Sequence, residues 1–260
     1  MEFLPGFFTQ RNYDRATRWL TWMTERIHNT PAYRQTVGVI EVVNEPQTDR
    51  EEGGIPPEER DTLTQAYYPQ ALAVVRAAED ALGVGGSDRL HVQFMDYQWG
   101  SGDPLSSLPS GDGRLALDDH NYVGGAIEVE HPDAKQGDYM WYTCYDDDRR
   151  SARDAGAAFK AVQEFSLTVL PRLEGLPEFD PFREENAAFY RQWWVAQQRL
   201  YEAQTNGWIF WTWKNELNNP RWDYSYLVYL GWVADSVQGL DESVRRDVCL
   251  DYFGTSDGRG

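Results

Sequence analysis

Two glutamates sit where an enzyme could use them. Residues 37–46 read V-G-V-I-E-V-V-N-E-P, a short β-branched run that ends in Asn44, Glu45 and Pro46. Residues 157–165 read A-A-F-K-A-V-Q-E-F, a second run of strand character with Glu164 one place from its end. Between them, L-A-L-D-D-H-N-Y (115–122) finishes on Asp118, Asp119, His120 and Tyr122, and G-W-I-F-W-T-W-K (207–214) carries Trp211 and Trp213 near its end. Parallel strands of an α/β barrel present such polar C-terminal ends at the edge where the chemistry is done. Two carboxylates there suit cleavage of a glycosidic bond. One, protonated, donates to the leaving oxygen; the other, ionised, attacks the anomeric carbon or activates water. The plainer reading of Asn-Glu-Pro is a strand exit, because Asn accepts turn conformations and Pro stops a ladder.

The elements that must position these groups follow from periodicity. Residues 12–29 are predicted helical, with Ala16, Leu20, Met23 and Ile27 on one stripe and Asn12 as a cap. A strand over 37–43 follows, then a polar loop over 47–61. A helix then runs to about Leu82, with Leu72, Val75, Ala78 and Leu82 on its apolar face and Gly83 ending it. Strands are expected at 89–95, 115–122, 157–165 and 207–214. A helix over 183–204 carries Phe189, Trp193, Ala196 and Leu200 in register, and a short helix closes the chain. The stretch 123–156 reads as irregular and acidic. Strands alternating with helices predict a parallel sheet with helices outside it. One domain is expected over residues 1–250, with a polar tail at 251–260. Five strands are too few to close an eight-stranded barrel.

Bulk properties narrow the classes. The chain has 260 residues, 25% charged and 14% aromatic, with eleven tryptophans and fifteen tyrosines. That is enough for one large α/β domain, and ring faces are surfaces on which sugars pack. A net charge of −18 argues against nucleic acid and anionic membranes as partners, since both call for a positive surface. No apolar run is long enough for a transmembrane helix. The start, Met1 to Gly6, has neither a basic n-region nor an apolar h-region, so no signal peptide is expected within the chain. Cys144 and Cys249 are the two cysteines, with no C-x-x-C and no nearby histidine pair, so no metal site is expected. They read equally as one disulfide or as two buried thiols. Phosphate loops, dinucleotide fingerprints and G-x-S-x-G are absent from the sequence.

Taken in order, V-I-E-V-V-N-E-P, D-D-H-N-Y, A-V-Q-E-F-S-L-T-V and G-W-I-F-W-T-W-K resemble four strands of glycoside hydrolase family 5. Within it they resemble the fungal β-glucanases that cut β-1,6- or β-1,3-glucan. Y-Y-P-Q-A, W-G-S-G-D-P and P-R-W-D-Y-S-Y look most like the endo-β-1,6-glucanase branch. The resemblance implies a (β/α)8 barrel and a retaining double displacement without cofactor or metal. It makes Glu45 the general acid/base, with Asn44 on the sugar 2-hydroxyl, and Glu164 the nucleophile. Tyr122 holds Glu164 ionised, His120 lies beside the pair, and Trp213 stacks under the sugar with Trp211 packed behind it. Trp99 lines a further subsite or packs its loop. Asp118, Asp119 and Glu41 are read as structural, as are His28, His91 and His131. The two cysteines match family positions, which implies a Cys144–Cys249 disulfide and an extracellular location.

The family also carries three β/α units ahead of the first helix found here, units that supply an arginine near the nucleophile and a histidine in the sugar site. The resemblance therefore implies an incomplete, N-terminally truncated barrel holding about the last five β/α units. Gln163 stands where the family has glycine. The alternative function is a catalytically inactive barrel that binds carbohydrate, or a gene remnant.

Overall fold

A computed structural model describes residues 7–46, 61–96, 102–128, 131–147, 149–156, 158–243 and 247–254. The expected subsite residue Trp99 lies outside them. Four strands, β1 (Val39–Glu41), β2 (His91–Met95), β3 (Leu115–Asn121) and β4 (Phe159–Phe165), form one sheet in the order β1-β2-β3-β4. β1 pairs in parallel with β2, and β2 with β3. Strand order equal to chain order, with helical segments between, is the arrangement of an incomplete (β/α)8 barrel. The helices are α1 (Gln10–Asn29), α2 (Pro31–Arg34), α3 (Tyr68–Ala81), α4 (Val123–Ala126), α5 (Gln136–Trp141), α6 (Ala187–Gln204), α7 (Tyr224–Tyr229), α8 (Val237–Ser243) and α9 (Val248–Phe253). Among the described residues, none of them is long and apolar enough to cross a membrane.

The chain divides into two compact units. The first holds residues up to Asp119 together with 155–160. Its core joins Tyr13, Leu20 and Ile27 of α1 to Leu72 and Val75 of α3 and to Val92 and Phe94 of β2. These positions recur at the helical spacing on α1 and α3 and alternate on β2, so the pattern in the sequence and the buried face coincide. Helix α1 begins at Gln10 rather than at a cap on Asn12, which lies within its first turn. Thr9 is the extended residue before it, and its carbonyl accepts from the Asn12 and Tyr13 N–H groups, so the turn closes on backbone. Leu82 is exposed past the end of α3, and Gly83 takes the left-handed conformation there.

The second unit holds 120–154 and the residues from 161 onward. Helix α6 is its centrepiece: Phe189, Tyr190, Trp193 and Trp194 are buried, and the Trp193 indole N–H donates to Thr143 Oγ1 at 3.0 Å. Tyr190 stacks on Trp232 with ring centres 4.6 Å apart. The stretch 123–156 is more ordered than expected, with α4, α5 and a wide turn over Tyr142–Asp146. A disulfide joins Cys144 and Cys249, 105 residues apart in sequence.

No strand forms over 207–214. Residues 207–211 run beside β4: Val162 N–H donates to Gly207, Ile209 N–H to Val162 and Trp211 N–H to Phe165. Beyond Trp211 the backbone leaves that ladder. Thr212 exchanges hydrogen bonds with Trp222 and Tyr224, and Ser225 N–H donates to the Trp213 carbonyl. The groups that would extend a strand are spent on the turn ahead of α7, so only the Val162–Trp208 bridge remains. That turn is pinned by Asp223, which caps α7 by accepting from Tyr226 N–H and also accepts from Asn215 N–H and the Ser225 hydroxyl. Burial pushes the Asp223 carboxyl up, but the three hydrogen bonds outweigh it and hold it below the usual range.

Reduction of the Cys144–Cys249 bridge should lower the unfolding free energy by about 5 kcal/mol, the loop-closure value for a ring of this size. Denaturant titration with and without reductant measures it, and two free thiols on the unreduced protein would contradict the bridge. A depressed folded-state carboxyl contributes stability that is full above its unfolded value of about 3.9 and is lost as pH falls through the folded value. Asp223→Asn should therefore flatten the acid limb of the stability curve below about pH 4. A limb of unchanged steepness would mean that Asp223 is not held ionised.

Candidate active site

Glu164, the penultimate residue of β4, is met by two groups in the second unit. The Tyr122 hydroxyl donates to Glu164 Oε2 at 2.7 Å, and His120 Nδ1 lies 3.4 Å from the same oxygen. His120 belongs to β3, and Tyr122 follows that strand directly. All seven residues of β3 are buried, which is what a barrel strand covered on both faces requires. The sequence therefore places an imidazole and a phenol on a strand that cannot move aside. A phenol donating to a carboxylate favours its ionised form, the form that acts as a nucleophile. The His120 side chain is 1% exposed and that of Glu164 15%, so the carboxylate keeps an opening to solvent while its partner does not.

The Tyr122 ring is itself held. Trp222 packs against it with ring centres 5.3 Å apart and planes at 45°. Trp222 comes from the P-R-W-D-Y-S-Y stretch, whose fold is fixed by Asp223 and by buried Arg221. Arg221 donates to the Tyr190 hydroxyl at 3.0 Å and to the Phe179 carbonyl at 2.9 Å. No role for Trp222 is readable from the sequence, because the contact joins residues a hundred positions apart. Trp213 is 67% exposed and lies nearly parallel to Tyr224, ring centres 5.7 Å apart. Trp211 is 48% exposed. The Trp211–Thr212 peptide is cis.

In the first unit, Glu45 follows β1 by four residues and takes φ 44°, in the left-handed region. For a non-glycine residue this conformation is costly and is commonly kept at functional positions. Glu45 is half-buried, Asn44 exposed and Pro46 buried. The Tyr67 hydroxyl donates to the Val42 carbonyl at 2.6 Å, fixing the exit of the strand. Burial pushes the Tyr67 phenol far up, with Tyr13 adding to it, so it serves as a neutral donor.

Of the residues expected to be structural, Asp119, His28 and His91 have charged neighbours within the fold. Asp119 lies 3.2 Å from Lys160 Nζ, and His28 lies 3.4 Å from Glu79. His91 Nε2 faces the Arg114 guanidinium at 3.1 Å. Glu41 is half-buried on β1. Lys160 and Asp96 pair at 2.7 Å, a partnership that no local pattern in the sequence announces. Lys160 itself stands out only as a lysine inside the apolar run F-K-A-V.

No protein-family model matches the chain. Among curated proteins, it is 34% identical over 236 residues to glucan endo-1,6-beta-glucosidase B of Emericella nidulans, covering 91% of the chain and 53% of that protein. It is 35% identical over 235 residues to the probable glucan endo-1,6-beta-glucosidase B of Neosartorya fischeri, 90% of the chain and 53% of that protein. The chain thus spans about half the length of the curated relatives it matches. Among solved structures, rutinosidase from Aspergillus niger superposes with TM-score 0.56 at 15% identity, over 86% of this chain and 58% of that one. A GH5 xyloglucan-specific endo-beta-1,4-glucanase from a metagenomic library gives TM-score 0.52 at 16% identity, over 90% and 66%. At these identities the two structures speak to fold. The chain is similar to fungal proteins named glucan endo-1,6-beta-glucosidase B over about half of their length, and its fold is that of an incomplete (β/α)8 barrel.

Proposed function

We propose that the chain carries the two catalytic glutamates of a secreted, retaining β-glucan hydrolase, with β-1,6-glucan as the preferred substrate and β-1,3-glucan second. The observation that supports it most is Glu164 at the end of β4, held by the Tyr122 hydroxyl with His120 at its side. The names of the relatives point to the substrate class.

The chemistry would run in two displacements. Glu164 attacks the anomeric carbon while Glu45, protonated, gives its proton to the leaving glycosidic oxygen. The C–O bond breaks and a glycosyl ester forms on Glu164. Glu45, now ionised, takes a proton from water, which attacks the same carbon and frees Glu164. Asn44 bonds the sugar 2-hydroxyl, a contact that tightens as the oxocarbenium-like transition state develops. The Tyr122 hydrogen bond would favour the ionised form of Glu164, and the exposed Trp213 ring would carry the sugar. The exposed Trp213 and Trp211 also support a second reading, a barrel that binds β-glucan without cleaving it.

Release of reducing ends from β-1,6-glucan and from β-1,3-glucan separates the readings. Turnover is expected with net retention of anomeric configuration. Glu164→Gln should abolish it, and Glu45→Gln should slow it by about 10²–10⁴-fold, the range of a general acid/base. Tyr122→Phe should lower kcat/KM by about 10–100-fold, the worth of one hydrogen bond to a charged group. Retained turnover in Glu164→Gln would move the nucleophile elsewhere. Glucan binding with no release of sugar would leave the second reading standing.

A further inference from the structure

The first compact unit holds a cavity of about 640 Å³ at the N-terminal ends of its strands. The protein carries a net charge of −18, yet this lining holds three arginines, two histidines and a single carboxylate, Asp88. The cationic groups come from separate segments. His28 lies in the last turn of α1, Arg34 ends α2, Arg89 and His91 stand at the start of β2, and Arg114 directly precedes β3. A basic hollow on an acidic protein is a local arrangement, and local potential rather than net charge decides what a concave site attracts.

The fold does not use up the polar groups here. Arg34 Nη2 donates to Asp88 at 3.0 Å, Arg89 Nη2 to Asp80, and Arg114 Nη1 to His91 Nε2 at 3.1 Å. A guanidinium carries five N–H donors and no acceptor, so most of the donors on each arginine remain. The last contact also fixes a tautomer. Arg114 can only donate, so His91 Nε2 accepts and the ring proton sits on Nδ1. That Nδ1 is buried and has no hydrogen-bond partner among the described residues. His28 is more fully enclosed, its side chain 3% exposed, and its Nδ1 is likewise buried and unpartnered while Nε2 lies 3.4 Å from Glu79. Glu79 is answered from inside: it is fully buried, and its oxygens accept from Leu90 N–H at 2.7 Å and from Arg76 at 2.8 Å. Buried polar atoms without partners are uncommon and costly, and these two belong to residues that line the cavity. We propose that the cavity is a binding site for a small oxyanion of the phosphate type. Donors that converge from several segments suit a tetrahedral group with acceptor oxygens on all sides, whereas a planar carboxylate is satisfied by one guanidinium fork. The arginines supply the charge and the His91 Nδ1–H a directed donor. The volume falls in the range of small-molecule pockets, so the oxyanion is free phosphate or the phosphoryl end of a small ester.

The test uses no glucan and stands apart from the hydrolase reading. Inorganic phosphate and glucose 6-phosphate are each titrated into the chain by calorimetry at constant ionic strength, with the His28 and His91 ring resonances followed in parallel. Saturable binding is expected, with both imidazoles shifting at the calorimetric midpoint. The tighter of the two probes says whether the site takes the free ion or an ester. Arg114→Gln should weaken binding about tenfold or more, the worth of a hydrogen bond to a charged group. Arg34, 53% exposed, should count for less, and Arg34→Gln should weaken binding about threefold. Arg172→Gln makes the same charge change at an exposed arginine of the second unit and should leave binding unchanged. Arg34 pairs only at the surface, so its variant carries the test if Arg114→Gln lowers the thermal unfolding midpoint. No saturable binding of either probe up to about 10 mM would overturn the proposal. Equal weakening in Arg34→Gln and Arg172→Gln would overturn it too, since diffuse charge rather than a built site would then hold the anion.

Discussion

A parallel strand cannot be followed by its neighbour through a tight turn; the chain must cross over through a dozen or more residues before it can pair again. Here that constraint is met by helical and irregular segments between β1, β2, β3 and β4, and sheet order follows chain order. Because β3 and β4 both finish at the same edge, His120 and Tyr122 at one strand end come within bonding distance of Glu164 at the other. Their separation in sequence is more than forty residues, and only the crossover brings them together. The helices serve the same end. Helices α1, α3 and α6 each bury an apolar face.

The Glu164 environment shows how a polar strand end is made tolerable. A carboxylate beside a buried strand costs free energy unless donors meet it. Tyr122 supplies a hydroxyl, and the phenol is in turn braced by Trp222. Trp222 depends on the turn that Asp223 and Arg221 hold, with Arg221 bonded to the Tyr190 hydroxyl and through it to α6. A chain of packed and bonded side chains thus runs from the hydrophobic centre of the second unit to one carboxylate oxygen.

Glu45 illustrates a different device. Its backbone lies in the left-handed region, which a side chain with a Cβ resists. Buried Pro46 and the Tyr67–Val42 hydrogen bond hold the segment where it is.

Much of this was legible in the sequence. Helices α1, α3 and α6 and strands β2, β3 and β4 follow from apolar periodicity, because burial selects residues at the spacing of the element. The candidate glutamates were legible as polar residues closing apolar runs, and Tyr122 and His120 through their pattern on the third strand. What the sequence alone could not decide was set by long-range partners. The run G-W-I-F-W-T-W-K has strand composition throughout, yet Thr212 and Trp213 give their backbone bonds to Trp222, Tyr224 and Ser225 and the strand does not form. Trp222 acquires its place against Tyr122, and Trp211 its exposure, from that same turn. Lys160 reads as an odd charge in an apolar run, and only the pairing of β2, β3 and β4 supplies the two carboxylates that make its burial possible. Composition and spacing specify which face of an element is buried. Which side chain meets it there depends on crossovers that fold residues far apart in sequence into contact, and no local pattern records that.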